Sequence, residues 1–296
     1  MQQPATVISV QSHVSSGHVG NAAAVYPLRR LGHEVCPVHT ALLAHHPGHG
    51  AFRGDLVAPE TVRAVLDGLG EHGMFAATKA LLSGYMGSPQ TGLAVADAWE
   101  AVSRASPDAL YCCMPVMGDA REGLYVAPEM TEMFRQVLVP RAGAVIANAF
   151  EAGVLAGVDV ADAESAATAA QSIRESGADL VIVTSVPTGD GEIGNLLVDG
   201  EDALLFRVAE REIAAKGTGD FLGAVWLGLQ LHLRDPAAAL ATALAITQDA
   251  VERACNGALA ELPVIDAVDA YCAAGEATRV VSSQRLKVHD IAKNFC

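Results

Sequence analysis

Lys216-Gly217-Thr218-Gly219-Asp220 runs directly into Phe221-Leu222-Gly223-Ala224-Val225-Trp226-Leu227-Gly228-Leu229, a loop with two glycines followed by nine residues without a charge. The apolar run predicts a buried helix, and the glycines let the loop before it approach an anion closely. A helix N-terminus carries unpaired N–H groups and partial positive charge, so it can hold negative charge developing on phosphate oxygens. Asp220 falls in the first turn, where a carboxylate could take a proton from a substrate hydroxyl. Anion donors beside a base suit phosphoryl transfer, which depends mostly on positioning and charge stabilisation. By itself Gly-Thr-Gly-Asp is a weak signal, since many such strings are plain turns or caps. The rest of the chain has to supply the context.

Outward from that stretch, strands and helices alternate. Extended segments are predicted at Thr6–Val10, Val35–Leu43, Ala80–Ser83, Ala109–Pro115, Ala144–Ala147 and Leu180–Thr184. Helices are predicted at Gly20–Leu31, Pro59–Leu69, Thr91–Ala105 and Ala163–Ser176, and then in succession at Phe221–Leu233, Pro236–Cys255 and Asp266–Ala274. This cadence implies an α/β fold with a mostly parallel central sheet covered by helices on both faces, a three-layer α/β/α arrangement. In such sheets ligands sit beyond the carboxyl ends of the strands. Those exits carry Gln11-Ser12-His13-Val14, Ser83-Gly84-Tyr85, Met114-Pro115-Val116-Met117-Gly118-Asp119, Asn148-Ala149-Phe150-Glu151 and Thr184-Ser185.

The chain has 296 residues, of which 51% are hydrophobic and 18% charged, and no linker or repeat divides it, so a single domain over 1–296 is expected. Its formal charge of −15 argues against a broad nucleic-acid surface, though not against a nucleotide. Neither a membrane span nor a basic leader is legible, which makes the cytoplasm the expected location. Cys36, Cys112, Cys113, Cys255, Cys272 and Cys296 form no C-x-x-C pair and read as buried, reduced thiols. His45-His46-x-x-His49 has a spacing that could suit zinc, but Pro47 and Gly48 break any helix that would align the rings, and no acid lies near in sequence. A loop is the expectation there.

Taken together, Gln11-Ser12-His13-Val14, Leu82-Ser83-Gly84-Tyr85, Pro115-Val116-Met117-Gly118-Asp119, Asn148-x-Phe150-Glu151-Ala152 and Gly217-Thr218-Gly219-Asp220 resemble pyridoxal kinase, of the ribokinase-like superfamily, over nearly the whole chain. The resemblance implies ATP-dependent phosphorylation of the 5′-hydroxymethyl group of pyridoxal or a related B6 vitamer, with Mg²⁺, in a homodimer. It implies Asp220 as general base and the amides of Gly217, Thr218 and Gly219 as the anion hole. It implies Ser12, Val19, His46 and Tyr85 in the vitamer pocket, and Tyr125, Asn148, Glu151, Thr184 and Ser185 at ATP. Glu151, with Asp119 as a substitute donor, would serve the metal. Each has a structural counterpart: Ser12 as a turn cap, Tyr85 as packing, Glu151 as a helix-start acid, Thr184-Ser185 as a polar strand end.

The chain also departs from the family. Met114 stands where the family usually has Asp, Ile146-Ala147-Asn148 replaces Thr-Pro-Asn or Ala-Pro-Asn, His45-His46-Pro47 replaces Asn-His-Thr, and Leu43 replaces an aromatic. Losing one charge-stabilising group lowers a rate by ~10²–10³. Two other readings therefore remain open: a degenerate homologue that binds vitamer or nucleotide without efficient turnover, and a hydroxymethylpyrimidine or sugar kinase.

Overall fold

The computed structural model describes residues 5–189, 191–274, 281 and 283–287, so Cys296 lies outside the described residues. The chain divides into two compact units, one formed by the segments up to Tyr111 and from Arg211 to Val280, the other by Cys112–Glu210 with the segment from Val281 onward.

The first unit opens with β1 (Thr6–Val14), α1 (Asn21–Arg30), β2 (Glu34–Leu43), β3 (Gly54–Leu56), α2 (Pro59–Glu71), a short α3 (Met74–Ala77), β4 (Thr78–Ser83) and α4 (Pro89–Ala105). Strand β1 runs parallel to both β2 and β4, and β3 adds antiparallel to β2. Val7, Ile8, Ser9, Val10 and Gln11 are all buried in succession, the pattern of an interior parallel strand covered on both faces. The polar pair within it satisfies itself in part, Gln11 Nε2 donating to Ser9 Oγ at 3.0 Å. In the pairing of β1 with β2 the register jumps between Gln11 and His13, so Ser12 sits at an irregularity.

Strand β5 (Leu110–Cys113) leads into the second unit. There follow the ribbon of β6 (Gly118–Asp119) and β7 (Gly123–Leu124), α5 (Pro128–Met133), β8 (Ala144–Asn148), α6 (Ala149–Ala156), α7 (Ala163–Glu175), β9 (Leu180–Pro187), β10 (Glu192–Asp199) and β11 (Asp202–Ala209). Strands β5, β8 and β9 are parallel neighbours. Beyond them β10 and β11 are antiparallel, and β12 (Ser283–Lys287) closes that side. The hairpin turns through Gly200-Glu201, with Gly200 at φ 60° in the first loop position, a conformation that glycine supplies without strain. Helix α7 starts with a capping box between Asp162 and Ser165, and buries Ala166, Ala167, Ala169, Ala170 and Ile173 on one face.

The first unit is completed by α8 (Thr218–Leu233), α9 (Pro236–Gly257) and α10 (Val264–Ala274). Every residue from Phe221 to Leu229 in α8 is buried, as the unbroken apolar run requires. Helix α8 contacts α1 and α9, and two histidines stitch its end to the α1–β2 turn. The rings of His33 and His232 stack at 4.3 Å, and their Nε2 atoms lie 2.9 Å from Gly228 O and 2.7 Å from Leu31 O.

The mostly parallel sheet flanked by helices is thus present in its central strands, with antiparallel strands added at β3 and from β10 onward. Cysteines 36, 112, 113, 255 and 272 are free thiols. Only Cys112 and Cys113 of these are buried; Cys36 and Cys272 are half-buried and Cys255 is exposed on α9, off the helix face carrying Ala250 and Ala254, which corrects the expectation of buried thiols at these three. Among the described residues no helix is long and apolar enough to cross a membrane.

Candidate active site

In the first unit, the exit of β1 and the start of α8 meet. Gly217 caps α8 with φ 88°, and a Cβ there would collide with the carbonyl oxygen of His18, so its glycine is needed by the protein's own packing. Gly219 differs: a Cβ there would meet no described atom within 4 Å. Its lack of a side chain leaves open space beside the helix start, where an anion could approach. Thr218 and Gly219 are the first residues of α8, and Phe221 donates to Gly217 O at 2.9 Å.

Asp220 lies in the first turn of α8, half-buried, with Oδ2 accepting the Gly20 N–H at 2.7 Å. Burial raises its pKa above the usual carboxylate value, and the Gly20 hydrogen bond partly offsets that. Gly20 in turn presses on Ser12, because a Cβ on Gly20 would collide with Ser12 O and lie 2.6 Å from Ser12 Oγ. Val19 is buried with its Cγ1 beside Gly217. Ser12, Val19, the glycines and Asp220 therefore form one cluster.

His46 caps a 3₁₀ turn, Pro47–His49, by accepting the Gly48 N–H on Nδ1 at 2.9 Å. That turn lies against Lys216, whose Cε would be 3.2 Å from a Cβ on Gly48. His49 Nε2 is 3.6 Å from Glu261 Oε1, an acid that is remote in sequence and that folding brings to the loop. Even so, among the described residues no three His, Cys, Asp or Glu side chains gather as a metal cage. Tyr85 is half-buried after β4, its carbonyl accepting from Thr40 Oγ1, and burial raises its phenol pKa.

In the second unit, Glu151 is 6% exposed and each carboxylate oxygen takes a main-chain N–H at 3.0 Å, Oε1 from Met117 and Oε2 from Asn148. Asn148 returns the bond by accepting from Glu151 N at 2.8 Å, which completes a capping box, and donates from Nδ2 to Gly118 O at 2.9 Å. Strand β8 ends at Asn148, which pairs with Thr184 across the sheet. Ser185 follows at φ 56°, at an irregularity in the β9–β10 ladder, a rare conformation for a residue with a side chain. Asp119 Oδ1 accepts from Arg121 N and Glu122 N, both at 2.8 Å, which folds the β6–β7 turn. Tyr125, 48% exposed, is anchored by its N–H on Met117 O at 3.0 Å. Met114 is buried.

A resident magnesium ion would need several hard oxygen donors around it. Glu151 and Asp119 offer hard carboxylate oxygens that already accept main-chain N–H groups, while the Met114 thioether is a poor ligand for a hard cation. The donors fit an ion that arrives on nucleotide phosphates and keeps most of its waters, not a cage built by the protein.

Gly20 was missed by sequence reasoning. The available signal was a glycine at the start of a predicted helix, where a side-chain cap is otherwise favoured. The Met117 N–H, which fixes Glu151, leaves no trace in the sequence at all.

The phosphomethylpyrimidine kinase family matches residues 15–264 of this chain. Together with the fold, that makes the molecule a small-molecule kinase. A pyridoxal kinase PdxY from Corynebacterium diphtheriae is 37% identical over 267 residues, covering 89% of this chain and 94% of that protein. Another, from Leifsonia xyli, is 36% identical over 268 residues, covering 90% and 95%. The solved pyridoxal kinase of Leishmania donovani, in complex with ADP and pyridoxine, superposes with a TM-score of 0.89 at 27% identity, covering 95% of this chain and 99% of that one. The chain belongs to the pyridoxal kinase family.

Proposed function

We propose that the protein transfers the γ-phosphoryl group of ATP to the 5′-hydroxymethyl group of pyridoxal or a related B6 vitamer, yielding the 5′-phosphate and ADP. The observation that carries this reading is Asp220, half-buried at the first turn of α8, with one oxygen held by Gly20 and the helix-start glycines next to it. As the alcohol oxygen bonds to phosphorus, the bond from phosphorus to the β,γ-bridging oxygen breaks and the hydroxyl proton passes to Asp220. The amides of Gly217, Thr218 and Gly219 stabilise charge on the moving phosphoryl oxygens. Ser12 would hydrogen-bond the pyridine edge, with Val19, His46 and Tyr85 lining the pocket.

Tyr125, Asn148, Thr184 and Ser185 would hold the nucleotide. Glu151, helped by Asp119, would meet the nucleotide-borne Mg²⁺ through water, where the ion supplies charge neutralisation. The relatives' ligands and the chemistry of these donors support the assignment. A cytoplasmic homodimer is the assembly we infer, on the family relation alone.

One observation favours a second reading: buried Met114 removes a carboxylate from the second unit, as a vitamer- or nucleotide-binding homologue without turnover would allow. An ATP-dependent assay on pyridoxal with Mg²⁺ varied decides between them, using wild type, Asp220→Ala and Met114→Asp. Turnover abolished by Asp220→Ala supports the kinase. Vitamer binding without turnover in the wild type supports the second reading, and preference for a pyrimidine or a sugar overturns both.

A further inference from the structure

The peptide of Gly20 does two things at once. Its carbonyl accepts the N–H groups of Ala23 and Ala24, both at 3.0 Å, and so opens α1. Its N–H points the other way, to Asp220 Oδ2 at 2.7 Å. The backbone stands at φ 55° and ψ −132°, a region that glycine alone enters without strain, and a Cβ would also strike Ser12. A second close approach reinforces the junction, where Gly217 lies against the carbonyl of His18. Segments 18–20 and 217–220 are thereby locked at two points.

We propose that the main-chain N–H of Gly20 is the positioning group for the base, holding Oδ2 of Asp220 so that Oδ1 faces the acceptor hydroxyl, and tying that orientation to Ser12. The proposal rests on Asp220 being the base. An N–H···O bond to the ionised carboxylate favours the form that can accept a proton, against the burial that disfavours it. A helix-capping glycine with a merely structural role would leave the ionisation of Asp220 and the chemical step untouched.

The test replaces Gly20 by glycolate, which deletes the N–H and adds no side chain. A synthetic segment 1–35 ligated at Cys36 supplies the full chain, with the ligated natural sequence as control. The expected result is a kcat lower by about tenfold or more, a KM for pyridoxal within about twofold, and an acid limb of kcat/KM moved to higher pH. Unchanged kcat and an unmoved acid limb overturn the proposal. Asp220→Asn in the same series separates the two layers: turnover surviving in it sinks the base itself, whereas its loss beside a normal glycolate enzyme sinks only the role of Gly20. Should the ligated chain not refold, ¹⁵N-glycine-labelled recombinant protein keeps the question decidable. The Gly20 amide resonance should follow the acid limb and shift in Asp220→Asn, and a pH-invariant amide overturns the inference.

Discussion

Asp220 in the first unit and Glu151 in the second are both acids in the first turn of a helix that follows a strand exit or loop, yet their surroundings differ. Glu151 is buried with an amide N–H on each oxygen, one of them across 34 residues, so it holds the β8–α6 junction and the Met117 segment together. Asp220 accepts one amide N–H on one oxygen, remains reachable from solvent, and has its pKa raised by burial. Position on a helix does not define an acid's role. The number of donors around it does, because each bonded N–H stabilises the charge while desolvation opposes it.

The sharpest way to break this comparison is to delete each acid. Asp220→Ala should lower kcat by ~10²–10⁴, the range of a lost general base, and cost little stability in urea titrations, because removing a desolvated carboxylate offsets the single Gly20 N–H it strands. Glu151→Ala should instead strand two buried N–H groups and cost about 2–4 kcal/mol of stability by the same titrations. Equal effects of the two changes on turnover and on stability would erase the distinction.

Met114→Asp is expected to raise kcat by about tenfold and change its Mg²⁺ dependence, while lowering Tm because a carboxylate enters a buried site. A fall in both would show that the second unit has repacked around the thioether.

The pH dependence sharpens the comparison further. The raised pKa of Asp220 means that the folded state binds this proton more readily than the unfolded chain. Its stability contribution is therefore present below the unfolded value and lost as pH rises through the folded one, whereas with Asp220 as the proposed base activity should rise over the same window. Asp220→Asn should remove that component from stability-against-pH curves. His33 runs the other way: burial lowers its pKa, so its contribution is present above the unfolded value of 6.5 and lost as pH falls through the folded value. His33→Gln should flatten that acid-side loss.

The smallest effect is expected at the loop. His49→Ala removes a half-exposed pair with Glu261 and should change stability by no more than ~1 kcal/mol and leave kcat unaltered.

Much of this was legible in advance. The buried run Phe221–Leu229 announced α8, and the strand at Thr6–Val10 and the alanine stripe of α7 followed from apolar periodicity. The β10–β11 hairpin carries Gly200 in its two-residue loop between apolar runs, a turn signal that is local to the sequence. The irregularities at Ser12 and at Thr184-Ser185 were not legible, because a bulge is a mismatch between two strands and neither sequence contains it alone. The meeting of His49 with Glu261 and the exposure of Cys255 likewise depend on which helix faces pack together.

By itself the sequence determined the alternation of strands and helices, the glycine-flanked start of α8, and the residue types available at each strand exit, since these follow from local periodicity and backbone freedom. Only the tertiary structure decided that Gly20 reaches Asp220 across 200 residues and that Glu151 closes on two amides. Hydrogen bonds between distant segments depend on how elements pack, and packing is set by the whole chain at once.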